Sequence, residues 1–103
     1  MNQEIEHIKV LIIGSGPAGM SAAIYSIRYK LKNMIISKDV GGTTNEAHMV
    51  ENYPGYKSIT GFELMQKFKE HVEYLKGTIK LEEVTGFEKN EDIYSVKTIK
   101  GIY

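Results

Sequence analysis

Apolar and polar residues along this chain fall into successive rhythms, each with its own structural meaning. After a polar lead-in, Met1 to His7, the run Ile8 to Ile13 (IKVLII) is almost continuously apolar and stops at Gly14. Such a run predicts a strand buried on both faces, as in a parallel sheet covered by helices. GSGPAG then gives way to MSAAIYSIRYK, where Met20, Ile24, Ile27 and Leu31 recur at the spacing of one helical face. Pro17 suits the first turn of that helix, where its missing N–H costs nothing. Asn33 to Ser37 (NMIIS) reads as a second short strand. Residues 8–37 therefore predict a tight βαβ unit with a right-handed crossover.

Residues 39–57 lose the periodicity and carry Gly41, Gly42, Pro54 and Gly55, which predicts a long irregular loop of the kind that often serves a function. Thr60 and Glu63 form a capping box for a helix over residues 61–76, with Met65, Phe68, Val72 and Leu75 as its apolar stripe and Gly77 as its stop. Glu63 and Lys67 stand one turn apart in the favourable order. Over residues 78–103 the pattern turns strand-like: TIKLEEV, TGFEKN and IYSVKT, with Asn90 to Asp92 as a turn. The expected class is α/β: a Rossmann-like βαβ unit with a parallel sheet, a second helix, and a β-meander or hairpin near the C-terminus.

The junction of first strand and first helix carries the chemistry. Gly14, Gly16 and Gly19 match G-x-G-x-x-G, placed where a buried strand ends and an amphipathic helix begins. Gly14 permits the tight turn, Gly16 lets the backbone approach a pyrophosphate, and Gly19 lets the helix pack closely on the sheet. Unpaired amides at the helix start and the positive end of its dipole then favour an anion. A dinucleotide site is expected here. An NAD site would carry an acidic residue at the end of the second strand to grip the ribose. Ser37 stands there instead, with Lys38 and Asp39 beyond it.

Composition narrows the picture further. Thirteen basic and thirteen acidic residues cancel, so no bulk field draws nucleic acid or an anionic membrane, and phosphate recognition has to come from backbone donors. No cysteine is present, which excludes a disulfide, a thiolate metal site and a redox dithiol within these residues. The N-terminal residues lack a signal-peptide layout and no apolar run reaches the length of a membrane span. The chain reads as soluble and cytoplasmic.

GSGPAG followed by AAIY, GG, VENYPG and ITGFELM resembles the N-terminal part of the low-molecular-weight thioredoxin reductases, FAD-dependent pyridine nucleotide-disulfide oxidoreductases, over roughly Lys9 to Tyr103. The resemblance implies that Gly14, Ser15, Gly16, Pro17, Ala18 and Gly19 wrap the FAD pyrophosphate. It sets Ser37 and Lys38 at the adenosine ribose, Gly42 and Thr43 beside the flavin half, Asn52 near the isoalloxazine, and the backbone of Val84 at the adenine. One departure is Thr43, where the family often has Gln. Members of the family continue into a second nucleotide-binding domain with a Cys-x-x-Cys pair and then complete the FAD domain. The resemblance thus implies an incomplete FAD domain, inactive alone. As a full-length protein it would be a homodimer passing electrons from NAD(P)H or another donor, through FAD, to a thioredoxin-like protein. The strand IKVLII would then lack one neighbour. The alternatives are an NAD(P)-binding dehydrogenase domain and a catalytically inactive flavin-binding module.

The remaining polar residues carry bland readings. His7, His48 and His71 lack ligand spacing, so no metal site is expected. Ser15 and Ser21 lack a neighbouring base and the nucleophile-elbow pattern. Tyr25 and Tyr29 read as packing and rim residues of the first helix, Tyr53 as a loop tyrosine beside the flavin or a structural one, and Lys80, Glu82 and Glu83 as the solvated side of a strand.

Overall fold

A computed structural model describes residues 7–103; the lead-in up to Glu6 lies outside the described residues. The element order is β1 (Val10–Ile13), α1 (Pro17–Arg28), β2 (Asn33–Ser37), a 3-10 turn (Gly42–Glu46), α2 (Gly61–Tyr74), β3 (Ile79–Leu81), β4 (Val84–Asn90) and β5 (Ile93–Thr98). Strands β1, β2 and β3 form a parallel sheet in that order, with Ile12 opposite Ile35 and Ile35 opposite Ile79. Strands β4 and β5 form a separate antiparallel hairpin closed at Asn90–Ile93, with Glu91 in the left-handed region. The α/β class, the βαβ unit and the second helix match the expectation.

The core lies between the sheet and its two helices. Met20 and Ala23 of α1, Ile35 of β2, and Leu64, Met65 and Val72 of α2 are buried together with Ile59, and Ile12, Ile24, Phe68 and Ile79 pack around them. Each large side chain of this set contributes about 1.5–3 kcal/mol by leaving water. Helix α2 begins as its sequence dictates: the Glu63 N–H donates to Thr60 Oγ1 at 3.1 Å. Both helices end alike. Lys30 and Lys76 occupy the left-handed position, and the next amide reaches back to close the turn, Leu31 to Ser26 at 3.0 Å and Gly77 to Val72 at 2.9 Å. This is the Schellman arrangement, with lysine where glycine is the usual occupant.

Several expectations need correction. The run IKVLII is not buried on both faces: Val10, Leu11 and Ile12 are only half-buried and Ile13 is 55 % exposed, in a strand that lies, as expected, at a sheet edge among the described residues. The buried strand is β2, from Met34 to Ser37, which among the described residues has a strand on each side. Leu31 leaves the predicted apolar face because α1 ends at Arg28, and Leu64 joins the stripe of α2. Gly77 is not the left-handed stop. It lies one residue later, where a Cβ would come within 2.6 Å of Val72 Cγ1 and 3.0 Å of Ile27 Cδ1, so it is glycine because α1 and α2 meet there. The charge pair formed on α2 is Lys69–Glu73, at 4.0 Å, rather than Glu63–Lys67. The expected C-terminal meander or hairpin is the β4–β5 hairpin, onto which Ile102 and Tyr103 fold back antiparallel, while β3 joins the parallel sheet.

Two measurements check this account. Replacing Lys76 by glycine is expected to raise stability by about 0.5–1 kcal/mol, because a left-handed backbone strains any residue with a Cβ; a chemical denaturation curve reads it. The free edge of β1 borders a groove of about 870 Å³ lined by Val10, Leu11 and Ile13 on one side and Phe87, Ile93 and Tyr94 on the other. An unpaired apolar edge invites strand addition. The 103-residue chain is expected to self-associate in sedimentation velocity as concentration rises, and Leu11→Lys to keep it monomeric.

Candidate nucleotide-binding site

The site begins where β1 ends. The Gly14 N–H donates to Ile36 O at 2.9 Å, which completes the ladder between β1 and β2, and the chain then turns at once with Gly14 at φ +105°. That left-handed backbone strains any residue with a Cβ. Gly16 is the N-cap of α1 and Pro17 its first residue. The first bond of the helix runs from the Met20 N–H to Gly16 O at 3.0 Å, and no side chain caps this end. The amides of Ala18 and Gly19 thus stand ahead of the helical ladder, at the positive end of the dipole.

The three glycines serve different ends, and the geometry separates them. At Gly19 a Cβ would lie 2.1 Å from Gly14 O and 3.0 Å from Gly14 C, an impossible overlap with backbone, so Gly19 is what lets α1 lie against β1. At Gly16 the backbone is extended, φ −76° and ψ −171°, and a Cβ would find its nearest protein atom, Gly41 O, at 3.9 Å. Neither conformation nor internal packing requires glycine at this position. A side chain there would enter the space between the start of α1 and the loop at Gly41 and Gly42. A glycine free of both demands is what a backbone approached closely by an anion requires.

The loop after β2 folds onto this turn. Ser15, 2 % exposed, donates its hydroxyl to Asp39 O, and its carbonyl accepts the Gly41 N–H at 2.8 Å. Asn45 Nδ2 donates to Val40 O at 2.5 Å and holds the loop from behind. Gly42 and Thr43 are exposed in the 3-10 turn, and a Cβ on Gly42 would sit 3.8 Å from Gly16 Cα. Ser37 is buried at the end of β2 and its carbonyl accepts the Glu82 N–H at 2.9 Å, while Lys38 is exposed beside it.

The structure therefore brings Gly14 to Gly19, Ser37, Lys38, Gly42 and Thr43 to the carboxyl ends of β1 and β2, where open α/β sheets bind ligands. The hydroxyl of Ser15 is committed to the loop, so what that residue offers a ligand is backbone. Asn52 is exposed in the segment pinched by the Val50–Ile59 bridge, and Val84 opens β4. Among the described residues no hydrogen bond links either of them directly to the glycine turn. The ring of Tyr53 packs against Phe68 at 5.6 Å and Tyr56 at 6.2 Å, the structural role of the two weighed. His7, His48 and His71 are exposed, and among the described residues no group of potential metal ligands comes together.

Sequence reasoning missed one cluster. Glu82 is not a solvated strand residue: Thr98 Oγ1 donates to its Oε1 at 2.6 Å, and Tyr103 OH lies 3.0 Å from both carboxylate oxygens. Lys80 Nζ donates to the same phenol at 3.4 Å and lies over its ring. The Thr98 hydrogen bond, opposed by partial burial, and the cations Lys80 and Lys100 hold Glu82 below the usual carboxylate range; burial and Glu82 push the Tyr103 phenol up. The alternation Lys80, Glu82 put both on one face of a strand, but Thr98 and Tyr103 reach them only through the hairpin.

A parallel-sheet βαβ unit with a bare glycine turn at its carboxyl end defines a dinucleotide-binding α/β domain. Residues 8–100 match the family profile of the pyridine nucleotide-disulphide oxidoreductases, and the chain belongs to that family. It is 47 % identical over 77 residues to a thioredoxin reductase of Bacillus subtilis, covering 69 % of this chain and 24 % of that protein. The crystal structure of Lactococcus lactis thioredoxin reductase superposes with a TM-score of 0.90 at 39 % identity, over 94 % of this chain and 32 % of that one. A ferredoxin-flavin thioredoxin reductase of Clostridium acetobutylicum gives a TM-score of 0.88 at 32 % identity, over 96 % of this chain and 35 % of that one. The chain thus spans between a quarter and about a third of the length of these relatives. Among the described residues no helix is long and apolar enough to cross a membrane.

The glycine assignments predict costs of different size for one added methyl group. Gly19→Ala is expected to destabilise the chain by about 1–3 kcal/mol, as overpacking against backbone does. Gly16→Ala is expected to cost less than about 1 kcal/mol, the range of N-cap exchanges. Paired thermal or urea unfolding of the two variants reads the difference.

Proposed function

We propose that this chain is the FAD-binding part of a thioredoxin reductase-like flavoprotein. The observation that carries the reading is Gly16, the uncapped N-terminus of α1, where neither backbone conformation nor internal packing requires glycine. FAD, when bound, supplies the two-electron redox chemistry, while the protein supplies binding and orientation.

The residues of the chain divide that task. The turn from Gly14 to Gly19 holds the pyrophosphate through main-chain donors and the dipole of α1. Ser37 and Lys38, at the end of β2, lie along the adenosine ribose, and the Val84 backbone meets the adenine. Gly42 and Thr43 flank the flavin half, with Asn52 toward the isoalloxazine. The seryl side chain at position 37, where an NAD-binding unit carries an acid, favours FAD over the NAD(P) dehydrogenase reading. Fold similarity to thioredoxin reductases favours it too.

These 103 residues contain no thiol, so disulfide reduction takes place at a dithiol outside them. In the whole protein, electrons pass from NAD(P)H or another reduced donor through FAD to that dithiol and on to a thioredoxin-like protein. The assembly we propose is a cytoplasmic homodimer, without nucleic-acid or membrane partners.

Equilibrium dialysis of the chain against FAD, followed by flavin absorbance, tests the cofactor assignment. Saturable binding is expected, with NADH at least about tenfold weaker, a difference of roughly 1.4 kcal/mol. Gly16→Ala is expected to weaken FAD by at least about tenfold while the fold persists. Equal affinity for NADH and FAD, or indifference to the methyl group at position 16, would overturn the assignment.

A further inference from the structure

The hairpin β4–β5 and the parallel sheet are different sheets, and a polar cluster joins them. Glu82 follows β3 directly, and its amide is bonded to Ser37 O at 2.9 Å at the carboxyl end of β2. Two residues later Val84 begins β4, where it pairs with Thr98 across the ladder. The Thr98 hydroxyl donates to Glu82 Oε1 at 2.6 Å and itself accepts the amides of Lys100 at 3.1 Å and Gly101 at 3.2 Å. Tyr103, whose backbone is bonded to Val96 in both directions at 2.8 Å, adds its phenol to both carboxylate oxygens. One carboxylate thus collects hydroxyl donors from β5 and from the segment that folds back on it.

This arrangement answers a question raised by Ser37. An acid beside the end of β2 could grip a ribose, and Glu82 is an acid bonded to Ser37 through its own backbone. Its carboxylate oxygens are already engaged by Thr98 and Tyr103, so it is not offered to a ligand. What it holds instead is the corner from Glu82 to Val84, between the sheet and the hairpin.

We propose that Glu82 is a positioning residue for the adenosine half of the cofactor site: by anchoring Thr98 and Tyr103 it fixes the Val84 backbone beside Ser37 without touching the cofactor. The inference rests on the FAD reading above. The charged and titratable groups that face Glu82 are Lys80 on its own strand, Lys100 beyond β5, and Tyr103. A carboxylate whose proton affinity is lowered by folding stabilises the native arrangement above the ordinary carboxylate range, and that contribution is lost as pH falls through its lowered value. The corner therefore loosens in acid.

The test uses the 103-residue chain as wild type, Glu82→Gln and Tyr103→Phe, with amide hydrogen exchange read element by element and with affinities for FAD and for inorganic pyrophosphate. In Glu82→Gln the amides of Val84–Thr98 are expected to exchange roughly tenfold faster, while those of β1, α1 and β2 change by less than about twofold. FAD is expected to bind about three- to tenfold more weakly, and pyrophosphate with unchanged affinity, since the glycine turn is not altered. Tyr103→Phe, which removes one donor and keeps the ring, is expected to show the same pattern at about a third of the size. In wild type the intrinsic-rate-corrected exchange of the hairpin is expected to rise on acidification, and in Glu82→Gln to be already raised and flat. Uniform loss of protection across all elements, or equal losses for FAD and pyrophosphate, would make Glu82 a general stabiliser and overturn the proposal. So would wild type and Glu82→Gln binding FAD alike. If wild type itself takes up no FAD, it is the cofactor reading that fails, and the proposal falls with it.

Discussion

The structure depends on one close approach: the start of helix α1 pressed against the carbonyl of Gly14 at the mouth of β1. With a Cβ at position 19 only 2.1 Å from that oxygen, the helix cannot sit there with any other residue. Everything else follows from it. The contact sets the angle at which α1 crosses the sheet, so that Met20 and Ala23 reach Ile35 in the core. It also leaves the amides of Ala18 and Gly19 ahead of the helical ladder, at an end that no side chain caps. Packing and binding are thus two results of one constraint, because the same short turn that seats the helix exposes its dipole.

The second constraint is the position of β2. It is the strand with neighbours on both sides, and its last residues connect to three parts of the site: Ile36 to Gly14, Ser37 to Glu82, and Asp39 to the hydroxyl of Ser15. The loop that follows is irregular in sequence but not unanchored. Ser15 and Asn45 tie it down from opposite sides, which lets Gly42 and Thr43 lie exposed next to Gly16 on a rigid support. Exposed residues on a fixed loop are what positioning a cofactor requires.

How much of this the sequence made legible depends on the range of the interaction. The βαβ unit, the Thr60 cap and the roles of Gly14 and Gly19 rest on contacts between residues close along the chain, and periodicity and turn chemistry report those well. Gly77 shows the limit: glycine after a helix reads as a stop, yet its bareness is needed for Val72 and for Ile27, the latter distant in sequence, while Lys76 takes the left-handed backbone. The burial of β1 was misread because an apolar run specifies which faces are sticky and not what covers them. Glu82 was misread for the same reason, since its partners Thr98 and Tyr103 reach it only after the hairpin has turned the chain back.

The site also explains a division of labour. From Gly14 to Gly19 there is no ionisable side chain, and Ser15, the one residue with a hydroxyl, spends it on the loop. A cradle made of main-chain amides has its charge pattern fixed by the fold rather than by pH, so it can hold an anion without itself taking part in proton transfer. Glu82, held below the usual carboxylate range, and Tyr103, pushed up, lie instead in the brace between the sheet and the hairpin. On the proposed reading, in which a bound cofactor carries the electrons, a holder of this kind is what the chemistry needs: quiet where it would meet the phosphates, with its polar ties behind the walls.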